Sequence, residues 1–155
     1  MELHFPLILD GATGTELQKR GYIGDVCAEQ WTLEHSEAII DIQRGYADSG
    51  SQVLYTPTFG ANRRKLEEHG IFNRTEEYNR RLAALSEQAS GGRALRAGDI
   101  SPTGAFLAPL GDVSFEELVD IYTQQAAGLE SAGVDLFVIE TMMTLSDARA
   151  AVLAV

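Results

Sequence analysis

Basic residues are in short supply: 12 Lys and Arg stand against 23 Asp and Glu, a formal net charge of −11 over 155 residues. A phosphate-backbone footprint needs clustered Lys and Arg to displace counterions, so nucleic acid is excluded as the expected partner. Cysteine is nearly absent. The single Cys27 cannot close an internal disulfide, which fits a reducing compartment. No apolar run approaches the roughly 20 residues of a membrane span, and the first residues lack the basic flank and long apolar stretch of a secretory signal. The expectation is a cytoplasmic protein with no membrane partner. His4, His35 and His69 are scattered without metal-ligand spacing, the last two reading as surface or helix-end residues.

What is present is an ordinary globular composition, 45% hydrophobic and 23% charged, with one unit repeated along it. Short apolar runs that suit buried strands occur at residues 7–9, 52–56, 94–100 and 134–139, each followed by a polar or Gly-containing turn and then a helical pattern. Ser36 is placed to cap a helix carrying Ala38, Ile39, Ile42 and Tyr46. Thr75 is placed to cap one carrying Tyr78, Leu82, Leu85 and Ala89, stopped by Gly91 and Gly92. Ser114 and Glu117 have capping-box spacing ahead of Leu118, Ile121, Tyr122 and Leu129, with Gly133 as the stop. Ser146 starts a last helix with Ala148, Ala151, Val152 and Val155 on one face, and no glycine or basic turn ends it.

Such a series predicts a parallel sheet with right-handed crossovers, doubly wound or closed as a barrel. About four βα units are half of the eight in a (β/α)8 barrel, so residues 1–155 are expected to form a single partial domain, the N-terminal half of a TIM barrel in a truncated chain. The open edges of such a half predict self-association.

Ligands collect at the carboxyl ends of parallel strands. Those ends are Asp10, then Thr56 and Thr58, then Asp99, then Glu140. A buried carboxylate needs a cation or hydrogen-bond donors to stay charged, which makes Asp10 and Glu140 candidates for gripping an ammonium group, or else acceptors that order their own loops. After Asp10, Gly11 and Gly14 permit unusual backbone angles and close approach of a ligand, and successive N–H groups there could form an anion nest. The turn is neither GxGxxG nor a P-loop, since no Lys follows Gly14 at the required place.

Four stretches together, LILDGATGTELQKRGY, EQWTLEHSEAIIDIQRGYADSGSQVLYTPTFGANRRKL, AGDISPTGAFLAPLG and AGVDLFVIETMMTLSDARAAV, resemble the N-terminal half of the homocysteine S-methyltransferase domain. The resemblance implies a (β/α)8 barrel that binds homocysteine at its top, activates the sulfur on zinc and transfers a methyl group to give methionine. It implies that Asp10, Gly11, Ala12, Thr13 and Gly14, with Glu140, hold the amino acid. Trp31, Thr58 and Phe59 fall in segments that approach the pocket, although Trp31 reads equally well as a packing aromatic. The methyl donor is left open; in the methionine synthase branch of the family, cobalamin and methyltetrahydrofolate would be carried by other modules.

The family's zinc cysteines, in a GxNC-type segment and a Cys-Cys pair, have no counterpart in these residues, and Cys27 matches none of them. Two alternatives stay open: a (β/α) enzyme of another class whose Gly-rich turn holds a phosphate or carboxylate, and a non-catalytic half-barrel module.

Overall fold

The structure, a computed structural model, describes residues 5–24 and 26–155, so His4 lies outside it. Three strands form a parallel sheet whose spatial order is their order in sequence: β1 (Val53–Tyr55), β2 (Leu95–Ile100) and β3 (Leu136–Ile139). Val53 pairs with Leu95, and Ala97 to Ile100 pair with Leu136 to Ile139. The expected first strand is reduced to a bridge. Leu9 pairs with Val53 in parallel, Asp10 N–H donates to the Val53 carbonyl at 3.0 Å, and Gln52 N–H donates to Ile8 O at 2.7 Å. With Ile8 58% and Leu9 47% exposed, little apolar burial holds this segment beyond its few hydrogen bonds.

Seven helices are described: α1 (Gly14–Lys19), α2 (Ala28–Glu34), α3 (Ser36–Asp48), α4 (Arg63–Glu68), α5 (Thr75–Ser90), α6 (Phe115–Ser131) and α7 (Leu145–Ala154). Ser114 caps α6 as expected, its Oγ accepting from Glu117 N–H at 3.0 Å. Gly91 ends α5 in the left-handed region at φ 54°, and Gly133 follows α6 at φ 71°. Arg96 of β2 donates to the Ala132 and Gly133 carbonyls, supplying the cation that the last turn of α6 lacks.

Three expected helix starts shift. Thr75 is the first helical residue and the N-cap is Arg74, whose guanidinium holds Glu77 at 2.7 and 2.9 Å. Ser36 is likewise inside its helix, because α2 runs almost directly into α3 and leaves only His35 between them. The last helix is capped at Thr144, two residues before Ser146, by a capping box in which Thr144 and Asp147 exchange side-chain to backbone bonds at 3.1 Å.

Strand alternation sorts the sheet into two faces. Ile100 joins Leu118, Tyr122, Leu129 and Ala150 in the core under α6 and α7. Gly98 faces the same helix, since a Cβ there would lie 3.1 Å from Leu129 Cδ1. Asp99 therefore points to the opposite face. A second cluster gathers Leu17, Trp31, Ile39, Ile42 and Leu85, and a third gathers Cys27, Leu66, Tyr78 and Leu82. Trp31 is thus a packing aromatic, with its ring stacked on His35 at 4.2 Å.

Gly128 of α6 sets how closely that helix approaches α5: an added Cβ would lie 2.7 Å from the Glu76 carbonyl oxygen and 2.8 Å from Asn79 Cβ. Gly45, inside α3, has nothing within 4 Å of the same position. Gly128→Ala should destabilise the protein by about 1–3 kcal/mol through overpacking. Gly45→Ala should stabilise it by about 0.5–1 kcal/mol through helix propensity. Denaturant melts of the two variants check the pair, and equal shifts of the same sign would contradict the packing argument.

Candidate functional site

A cleft of about 570 Å³ opens at the carboxyl ends of the strands. The turn at 11–14 and Leu17 form one wall, Ala28, Glu29 and Thr32 of α2 another, and Tyr55, Thr56, Pro57 and Phe59 close the side beyond β1. Asp10 projects from the end of the segment beside β1, and Asp99 and Glu140 from the ends of β2 and β3. Four carboxyl groups thus share one cleft, and among the described residues no Lys or Arg lines it.

Each carboxyl group is fixed by backbone geometry. Asp10 Oδ2 accepts the Tyr55 N–H at 3.0 Å, which ties the first strand end to β1. Burial pushes the Asp10 carboxyl up to about 6 against that hydrogen bond, and the Glu140 charge adds to the shift. Glu140 follows β3, with its N–H donating to Ile100 O at 3.0 Å. Glu29 is buried in the first turn of α2, where it accepts from Gly60 N–H at 2.6 Å and from the Cys27 thiol at 3.1 Å. A Cβ at position 60 would lie 2.6 Å from Glu29 Oε1, so any larger residue there would have to displace the Glu29 carboxylate. Burial, reinforced by the Glu29 charge, pushes the Cys27 thiol up to about 11, which keeps it protonated as the donor.

Asp99 is the most enclosed of the four, 4% exposed. Its backbone is stitched to the segment after β1 and to α6: Asp99 N–H donates to Thr56 Oγ1 at 3.0 Å, Thr58 Oγ1 donates to Asp99 O at 2.8 Å, and Gln125 Nε2 donates to Thr58 O and Asp99 O at 2.9 and 3.3 Å. Its Oδ1 finds no hydrogen-bond partner among the described residues. Burial first, then the charge and hydrogen bond of Glu140, then Asp10 and Glu29, push its carboxyl up to about 8.

Of the residues that the sequence points to, Asp10, Gly11, Ala12, Thr13, Gly14, Phe59 and Glu140 all line the cleft. Thr58 does not: it is fully buried and its hydroxyl is spent on the stitch to Asp99. Gly11 and Gly14 depart from the expected backbone role, since neither has a positive φ. Gly11 is required for space, a Cβ there falling 2.8 Å from the Tyr46 ring, while Gly14 has open room. No local pattern marks Glu29, which reaches the cleft only through the packing of α2. Asp99 is visible in the sequence as a strand-end carboxylate, but its enclosure beside Glu140 is not.

The folded protein holds the Asp99 proton far more tightly than an unfolded chain does, at about 8 rather than the ordinary 3.8. Stability from this group is therefore present at acid pH and is lost as pH rises from about 4 through about 8. Asp99→Asn should melt several degrees above the ligand-free parent near pH 8.5, and within about 2 °C of it near pH 4. A melting difference that is constant with pH would contradict a proton held at Asp99.

Comparison with known proteins agrees with this architecture. The sequence profile described as Homocysteine S-methyltransferase matches residues 7–155. The chain is 28% identical to a methionine synthase of Mycobacterium tuberculosis, covering 95% of this chain and 13% of that protein. It is 32% identical to betaine–homocysteine S-methyltransferase 1 of Mus musculus, covering 86% of this chain and 34% of that one. The crystal structure of the Escherichia coli homocysteine methyltransferase MmuM in its metallated form superimposes with a TM-score of 0.84 at 25% identity, over 96% of this chain and 58% of that one. The chain thus spans less than two thirds of each of these relatives, and within that span it belongs to the homocysteine S-methyltransferase family.

Proposed function

We propose that this chain is the amino-acid-gripping half of a homocysteine S-methyltransferase, folded as the N-terminal half of a (β/α)8 barrel. The barrel reading is supported by the strand order: the segment at 8–10, β1, β2 and β3 lie side by side in sequence order, without the reversal of a doubly wound sheet. The substrate reading rests on one observation. Carboxyl groups from four separate parts of the chain converge on a cleft that, among the described residues, no basic side chain lines. A cationic group is what such a field attracts, and a phosphate is what it repels. That disfavours the phosphate-binding alternative.

In this reading the ammonium of homocysteine sits between Asp10 and Glu140, and its carboxylate meets the main chain of the 11–14 turn. Phe59 and Leu17 offer apolar contact to the methylene chain. The reaction is a displacement at carbon: the sulfur–methyl bond forms as the bond from the methyl to its donor breaks, giving methionine. These residues hold and orient the amino acid.

The zinc of the family does not fit this part of the protein. Among the described residues no group of three or more His, Cys, Asp or Glu side chains is placed to hold a metal ion. Cys27 is buried in a core cluster with its thiol on Glu29, and His35 and His69 stand at helix ends. Sulfur activation is therefore assigned to residues outside this chain. Cobalamin, methyltetrahydrofolate or another methyl donor likewise has no site assigned here, and self-association remains the expectation for the half-barrel alone. No helix among the described residues is long and apolar enough to cross a membrane.

Glu140→Ala in the full-length protein tests the grip. Losing a charge-assisted hydrogen bond of about 1.5–3 kcal/mol should raise the homocysteine Kd roughly 10–100-fold. The melting temperature should move by no more than a few degrees, since Glu140 is partly exposed and its removal trades the repulsion of neighbouring carboxylates against the loss of a partner for Asp99. Calorimetry showing unchanged homocysteine affinity would refute the assignment.

A further inference from the structure

The four carboxyl groups pose a problem that the grip alone does not solve. A site with several ionised carboxylates and no cation is costly, and Asp99 carries the worst of that cost. Glu140 faces it from the end of β3, Asp10 from the first strand end and Glu29 from α2. Tyr55 of β1 stands nearby, and Lys65 of α4, a positive charge that feels Glu29 and Asp99, lies over the Phe59 ring outside the cleft lining. Asp99 is 4% exposed, and its Oδ1 meets no donor. An ionised carboxylate leaves two charged oxygens to satisfy, whereas a neutral acid needs one acceptor for its O–H and leaves only a weakly polar carbonyl oxygen. Asp99 is in register with Val138, so Glu140, two residues further on, emerges on the same face of the sheet and in the same cleft, where its carboxylate can serve as that acceptor.

We propose that in the ligand-free protein Asp99 is a neutral acid donating its proton to the Glu140 carboxylate, and that an ammonium group docking beside Glu140 expels this proton to solvent. Asp99 is then a positioning residue. Before binding, its O–H orients the Glu140 carboxylate; after binding, the cation takes over as donor and Asp99 becomes a second negative charge behind it. The balance is simple: the O–H bond of Asp99 breaks, its electron pair stays on the carboxylate, and the proton leaves past Glu140, which is partly exposed. The ammonium keeps all its protons.

Amine affinity therefore rises with pH. A cation favours the ionised acid, so binding strengthens as pH climbs toward about 8, where the ligand-free acid ionises unaided. Asp10 titrates at about 6 and contributes mainly below that. The interval between those two values reports on Asp99. The inference rests on the reading that the cleft holds the ammonium of an amino acid.

The test uses the full-length protein and L-methionine, which carries the ammonium but no thiol, so that no sulfur proton confuses the count. Calorimetry near pH 7 in two buffers of different ionisation enthalpy should show close to one proton released per methionine bound. The Kd should fall about tenfold between roughly pH 6.5 and 7.5. In Asp99→Asn, which keeps an N–H donor toward Glu140, proton release should drop to near zero and the Kd should vary less than about twofold over that interval. Methionine binding without proton release, or the same release from Asp99→Asn, would overturn the coupling while leaving the amino-acid grip intact. Should Asp99→Asn not fold, the pH profile of the parent decides alone, a flat profile overturning the proposal. If neither methionine nor homocysteine binds, the amino-acid reading itself falls and the coupling falls with it.

Discussion

Like charges do not gather in a partly dry cleft unless a framework holds them there, and much of this structure serves as that framework. At close range in a medium of reduced dielectric, carboxylates repel by several times the interaction they would have in water. Asp10, Glu29, Asp99 and Glu140 are nonetheless brought together: the Asp10 and Glu29 carboxylates accept main-chain N–H groups, while Asp99 and Glu140 are placed by the backbone of β2 and of the end of β3. The Tyr55 N–H pins Asp10, the Gly60 N–H pins Glu29, and the parallel register of β2 and β3 carries Asp99 and Glu140 to adjacent ends. The field that results is unfavourable to the ligand-free fold and favourable to a cationic ligand, the pattern by which functional sites trade stability for recognition.

The buried polar residues around the cleft follow from the same constraint. Thr56, Thr58 and Gln125 line up behind Asp99, with the two hydroxyls 2.7 Å apart and the amide of Gln125 bridging two carbonyls. Ser101 donates to the Phe59 carbonyl and Gln43 donates to Tyr55 O at 2.6 Å, so the loops after β1 and β2 are secured from the helix side. These bonds leave the β1 and β2 ends little freedom to relax away from one another. Helices α5 and α6 complete the support, their close approach set by Gly128.

The periodicities of the chain were enough to place most of the elements. Strand runs at 94–100 and 134–139 and the helices carrying Tyr78 or Leu118 are local patterns, with apolar spacing, a cap and a glycine stop all within one segment. The misplacements have local causes as well: Arg74 displaces Thr75 as cap by its ion pair with Glu77, α2 crowds out Ser36, and Thr144 with Asp147 outcompetes Ser146. The first strand is legible as an apolar run but shrinks to a bridge, because ladder length depends on neighbours rather than on the run itself.

For the site, sequence alone determined which chemical groups stand at the strand ends, since the alternation of β and α segments dictates that Asp10, Asp99 and Glu140 emerge on one side of a parallel sheet. It also carried the family resemblance, through the DGATGT and IET segments. Only the tertiary structure decided what those groups do to one another. Glu29 joins the cleft because α2 packs against the loop at Gly60, and Thr58 leaves it because its hydroxyl is claimed by Asp99 O. Gly11 is kept for room against Tyr46 rather than for its backbone angle. Burial and the nearness of other charges set whether a carboxyl keeps its proton, and both are properties of the assembled cleft that no stretch of sequence holds by itself.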